Sequence, residues 1–105
     1  MISKKDNKKI LELIDAILTL KSRNEAKSFL RDLLTESELI EFGNRWKAAR
    51  MLWEKDLYIN IEKETGLSST TVARVSRWLN GKTGGYKLVL NRMHNNLSLT
   101  RKGLR

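Results

Sequence analysis

The sequence predicts an all-α domain of about six helices, and three observations carry that expectation. Proline is absent from all 105 residues, so no segment is barred from helix. Apolar residues recur mostly three or four positions apart, the spacing of one helical face. No segment alternates at period two for long enough to make a strand. Tyr58, Ile59 and Ile61 carry some β character, but over too short a run between helical patterns. A monomer of this size buries only about 65% of its unfolded surface, so the core is modest and a second copy would help it.

The elements follow in order. Across residues 4–20, Ile10, Ile14, Ile17 and Leu18 fall on one stripe. Ser22 and Asn24 offer N-caps for a second helix, whose stripe is Ala26, Phe29, Leu30 and Leu33. Thr35 and Glu38 have the T-x-x-E spacing of a capping box. The box opens a longer helix with a seam of Leu39, Phe42, Gly43, Trp46, Ala49 and Trp53. Trp46 and Trp53 on that seam read as core or subunit interface. A helix over residues 57–65 ends at Gly66, a residue suited to a left-handed turn. Another runs to Asn80, "GKTGG" at residues 81–85 makes a flexible loop, and residues 86–97 close the fold with Tyr86, Leu90, Met93 and Leu97 on one face. A weakly ordered arm is expected at each end.

Charge is distributed unevenly. Residues 1–34 hold eight Lys/Arg against five Asp/Glu, residues 35–66 hold five against seven, and residues 67–105 hold eight against none. Nearly all of the +9 excess therefore follows Glu64. A surface kept merely soluble mixes both signs, whereas a block of one sign attracts polyanions. A basic tail without fixed structure would carry the same charge, but it would not explain the pattern that follows.

Residues 57–79 have the layout of a helix-turn-helix around Gly66. Ile61 lies five before the glycine, and Leu67, Val72 and Val75 lie one, six and nine after it. Two short helices that cross closely need glycine in the turn and aliphatics on the facing sides. Glu62 departs from this, since a small residue is usual there and a looser crossing is expected. On the second helix Val72, Val75 and Leu79 share an inward stripe, and Thr70, Ala73, Arg74 and Arg77 share an outward one. Trp78 falls between them, on a stripe with Thr71 and Val75. The tip adds Ser68 and Ser69. Hydroxyls and free N–H groups at a helix start suit phosphate oxygens, arginine fits the guanine edge in two prongs, and a methyl fits thymine. Either serine could simply cap the helix. Capping does not explain 41 consecutive acid-free residues from Thr65 to the end. The face suits the major groove of double-stranded DNA, with Ser68, Ser69, Thr70, Thr71, Arg74 and Arg77 as contacts and Lys82 and Lys87 on phosphates.

Other chemistries lack their residues. Gly81, Lys82 and Thr83 echo the end of a phosphate-binding P-loop, but Ser76 stands where its first glycine belongs and a helix, not a strand, leads in. His94 is the only histidine and cysteine is absent, so a metal site, disulfide or nucleophilic enzyme has little to work with. No stretch approaches the ~20 apolar residues of a membrane span. "MISKKDNKKI" has no apolar signal core, so a cytoplasmic protein is expected. A second reading survives: a non-specific module for RNA or the nucleoid, using basic charge alone. RNA readers favour exposed aromatics, and only Tyr58 and Tyr86 are candidates.

From residue 33 to residue 93, about 60 of the 105 positions, the chain resembles the Trp repressor superfamily, most closely its YerC/YecD-type branch of helix-turn-helix proteins. The carrying motifs are "LLTESE" at 33–38, "GNR" at 43–45, "ETG" at 64–66, "STTVARVSRWLNG" at 69–81 and "GGYKLVLNRM" at 84–93. The resemblance implies an intertwined helical homodimer that presents two reading heads about one turn of DNA apart. It suggests one domain over residues 1–105: dimerisation helices at about 4–54, the helix-turn-helix at about 57–80 and a closing helix at about 86–97. It implies a transcriptional repressor. It also implies a tryptophan-binding pocket whose arginine and threonine positions match Arg45, Arg74, Thr35 and Thr71. Val75 and Trp78 stand where the tryptophan-binding member has glycine and serine. On this reading the two side chains occupy the ligand space themselves, which removes the need for a tryptophan-like corepressor or changes which one fits.

Overall fold

The computed structural model describes the backbone of residues 1–101 and the side-chain surroundings of residues 1–95. Six α-helices follow one another without a strand among the described residues: α1 (Lys4–Ile17), α2 (Arg23–Leu33), α3 (Glu36–Trp53), α4 (Tyr58–Thr65), α5 (Ser69–Leu79) and α6 (Gly85–Arg101). The all-α expectation holds. The chain divides into two compact units, Met1–Leu39 and Ile40–Arg105.

Serines and a threonine start the helices of the first unit. Ser3 Oγ accepts from the Asp6 N–H, so residues 4–17 are capped helix at the end where a loose arm was expected. The arm expected at the other end falls largely on residues 102–105, outside the described residues. α1 stops at Ile17, three residues before the expected Leu20, because the Thr19 hydroxyl takes the Ala16 carbonyl at 2.7 Å and short i→i+3 bonds close the turn. Of the two candidate caps for α2, Ser22 serves. Its Oγ accepts from the Glu25 N–H while Glu25 Oε1 accepts from the Lys21 N–H, and Asn24 lies inside the first turn. Thr35 and Glu38 form the expected capping box, with bonds of 2.9 and 3.1 Å. The Thr35 backbone N–H, aided by the side chain, holds the Glu38 carboxyl below its ordinary range. No residue of α1 or α2 is buried, and the Ile10, Ile14, Ile17 and Leu18 stripe lies open.

The core sits in the second unit. Ala48, Ala49, Ile61, Leu67, Val72 and Val75 form it, with Trp46, Met51, Leu52 and Tyr86 packed on its edge. The expected seam of α3 is corrected here. Phe42 and Gly43 are exposed, Trp46 and Trp53 are half-buried, and Ala48, which was off the seam, is as fully covered as Ala49. Two adjacent buried positions lie about 100° apart around a helix, so α3 is covered over a broad arc. α6 starts at Gly85 and extends past the expected end at Leu97. Tyr86 stacks on Trp46 with centroids 6.2 Å apart, Leu90 is buried and Met93 is exposed. The side chain of Leu97 lies outside the described residues.

Two turns fix the entry and exit of α4. At the end of α3 the Lys55 N–H bonds to Leu52 O and the Asp56 N–H to Met51 O, both 3.0 Å, with Lys55 at φ 70°. This is the bonding of a Schellman cap with lysine in the place where glycine is usual. At the end of α4, Gly66 takes φ 71° and the buried Thr65 hydroxyl donates to Ile61 O at 2.6 Å while accepting from the Leu67 N–H at 3.2 Å.

Two stability predictions follow from those turns. Lys55→Gly relieves an L-residue from the left-handed region and should raise stability by about 1 kcal/mol in urea unfolding; a loss would show that the lysine side chain offsets its strain. Thr65→Val keeps the shape but strands the Leu67 N–H, and should cost about 1–3 kcal/mol by the same measurement. A neutral result would mean that water replaces the hydroxyl.

Candidate nucleic-acid interface

The reading face rests on how α5 is anchored. Val72 and Val75 are fully buried and Leu79 nearly so, so one side of the helix is sealed against the core. On the other side Ser69, Thr70, Ala73, Arg74 and Arg77 are exposed. α5 has no acidic residue, so nothing on the helix neutralises the two guanidiniums. Ser68 is the N-cap. Its Oγ accepts from the Thr71 N–H at 3.2 Å and donates to Thr71 Oγ1 at 3.1 Å. The Ser68 proton is therefore spent on the cap and Thr71 is half-buried, which leaves the hydroxyls of Ser69 and Thr70 as the open ones at the tip. Lys82, in the α5–α6 turn, and Lys87, in the first turn of α6, are both exposed. The segment before Gly81, Lys82 and Thr83 is α5, so the strand that a P-loop requires is a helix here.

Of the residues matched to a tryptophan pocket, Thr35, Arg45 and Thr71 are bonded to other groups. Thr35 is committed to the α3 capping box and belongs to the first unit; the other five belong to the second. Arg45 pairs with Glu41 at 3.2 Å and lies over the Phe42 ring, 5.4 Å from its centroid. Val75 is part of the core. Trp78 is 44% exposed and lines an apolar groove of about 590 Å³ with Trp46, Thr83, Gly85, Tyr86 and Val89. Neither Arg45 nor Arg74 lines that groove. The spacing of Trp46, Tyr86 and Trp78 gives no hint that the three rings share one opening, so sequence reasoning missed it.

A shallow cleft of about 150 Å³ does lie beside His94, with Arg50, Trp53, Glu54, Leu90 and Met93. It has no hydroxyl or thiol nucleophile, and no group of three metal-binding side chains occurs among the described residues. No helix of the described residues is long and apolar enough to cross a membrane.

The comparisons with known proteins agree with this arrangement. The chain is 39% identical over 92 residues to the uncharacterized protein YerC of Bacillus subtilis strain 168, covering 88% of each. Among solved structures it resembles a TrpR-like protein from Eubacterium eligens, with a TM-score of 0.79 and 37% identity over 83% of this chain and 90% of that one. It also resembles a proposed Trp repressor from Staphylococcus aureus, with a TM-score of 0.76 and 39% identity over 81% of this chain and 85% of the other. The Trp repressor protein family matches residues 8–94, nearly the whole described chain with its helix-turn-helix. The chain belongs to the Trp repressor family, which points to a DNA-binding regulator.

Proposed function

We propose that the protein is a sequence-specific, homodimeric DNA-binding repressor acting in the cytoplasm. One observation carries this reading: α5 is sealed on one side by Val72, Val75 and Leu79 and open on the other through Ser69, Thr70, Arg74 and Arg77. Such a helix can enter the major groove without exposing core. Arg74 and Arg77 then meet base edges, Ser69 and Thr70 meet backbone or bases at the tip, Ser68 and Thr71 hold the tip in shape, and Lys82 and Lys87 take phosphates. The homodimer is supported by the first unit, whose two helices bury no residue while displaying apolar stripes. A second copy of the chain supplies the missing cover.

Specific and charge-only binding are separated by duplexes selected from random sequence. Arg74→Ala should cost about 1–3 kcal/mol at the selected site and relax base preference there, while Lys82→Ala weakens all duplexes alike. With about six phosphates neutralised, affinity should fall roughly 10³-fold between ~50 and ~200 mM salt. Equal loss at selected and random duplexes for Arg74→Ala would favour the non-specific module, and a monomer by sedimentation would remove the paired geometry.

The protein works without free tryptophan on this proposal, because Val75 occupies core beneath α5 and Trp78 supplies an indole of the chain's own. Calorimetry with L-tryptophan checks it: no heat of binding is expected, and micromolar affinity would overturn the filled pocket.

A further inference from the structure

At the C-terminal end of α5 a cleft of about 490 Å³ has an apolar wall of Leu52, Trp53 and Leu79 and a polar one of Lys55 and Asp56 from the α3–α4 turn, Ser76 from α5, its C-cap Asn80, and Lys87 from α6. Its charges are uncommitted. The ion pairs among the described residues are Arg45–Glu41 and Lys47–Glu64, so neither cleft lysine has a carboxylate partner and Asp56 has no cation. Lys55 is also held firmly: the bonds from its own N–H and from that of Asp56 fix it at φ 70°, a conformation that glycine takes freely and lysine does not. A strained backbone at a residue that lines a cleft motivates a ligand. The Asn80 amide donates one proton to Ser76 O at 3.0 Å and keeps a second.

The chemistry is that of an oxyanion site: two ammoniums, an amide proton and a hydroxyl around one space. The oxyanion can be assigned from the dimensions of α5, which rests on the reading of that helix proposed above. Eleven residues span about 16 Å, whereas the major groove is about 12 Å wide. When the tip of α5 meets base edges, its far end stands beside the strand that borders the groove. We infer that the cleft is a phosphate site, in which Lys55, Lys87 and Asn80 hold one phosphodiester of that strand and Asp56 weakens the hold. The carboxylate lowers the cleft's formal charge from two positive to one, so this contact is tempered.

The test uses the full-length protein and a duplex that it selects from random sequence. Neutral methylphosphonate linkages are placed singly along the backbone. The wild type should lose affinity at each phosphate it contacts, including one bordering position in each half-site that belongs to the cleft. Lys55→Asn, which keeps a residue tolerant of the left-handed cap, should lose less affinity at that position than the wild type does. Its log affinity against log salt should be shallower by about 0.9 for each cleft in the complex. Asp56→Asn should bind more tightly. An unchanged slope in Lys55→Asn, or weaker binding in an Asp56→Asn protein that melts as the wild type does, overturns the cleft. If Arg74→Ala still loses base preference in that case, the reading of α5 stands and only the cleft falls; failure to select any duplex sinks both. Inorganic phosphate titrated onto the protein alone is the remaining arm. Saturable shifts at the Lys55 and Asn80 amides, without a sensitive duplex position, would make this a site for free phosphate and overturn the duplex assignment.

Discussion

The constraint on which the second unit depends is the turn at Thr65 and Gly66. A helix-turn-helix works only if its second helix leaves the first at a fixed angle, and here two groups set that angle. Gly66 adopts the left-handed backbone that reverses the chain. The Thr65 hydroxyl joins the last turn of α4 to the first residue beyond the turn, accepting from Leu67 and donating to Ile61. Because Thr65 and Leu67 are buried, no water is on hand to take over either bond cheaply. Leu67, Val72 and Val75 then follow Ile61 into one cluster, and the outward direction of Arg74 and Arg77 is a consequence of that packing.

How much of this was legible depended on the kind of signal. Helix number, the Thr35–Glu38 box, the Gly66 turn and the two faces of α5 could all be read, because each is a local rule of spacing or capping. The end of α1 could not, since a threonine hydroxyl competing for a carbonyl leaves no mark on hydrophobic periodicity. The choice of Ser22 over Asn24 could have been read, since Ser22 and Glu25 repeat the spacing of the Thr35–Glu38 box. The seam of α3 was misjudged for a different reason. Alanines count little in a pattern that weights large side chains, yet Ala48 and Ala49 are the residues its neighbours pack against. Among the candidate site residues, exposure followed from the stripe rule, while the partners of Arg45 and the grouping of Trp46, Tyr86 and Trp78 are tertiary facts without a sequence mark.

The two flanks of α5 differ in chemistry. One carries Trp78 into an apolar groove with Trp46, Tyr86 and Val89. The other carries Ser76 and Asn80 into a polar cleft with Lys55, Asp56 and Lys87. Between them runs the outward stripe of Thr70, Ala73, Arg74 and Arg77. A helix so divided has one orientation in which its apolar flank stays with protein and its cationic flank faces a polyanion. Rolling it either way buries an arginine or uncovers Val72 and Val75. The amphipathic pattern of α5 thus sets the helix's roll about its own axis as well as its attachment to the core.

This arrangement bears on how such a protein could be regulated. A ligand shifts an equilibrium only by the difference in its affinity for the two states, so an effector that reorients α5 needs unfilled space beneath it in one of them. Val72 and Val75 are fully buried directly under the helix, and close-packed side chains leave little room for an inserted ring without displacing the core. Small molecules are left with the flanks. The apolar groove could take an apolar group other than that of tryptophan against Trp78, and the polar cleft could take an oxyanion in competition with duplex backbone. The first would act through the roll of the helix and change base preference; the second would act through charge and lower affinity for every sequence alike. Regulation of this chain, where it exists, is therefore legible from which of those two quantities an effector changes.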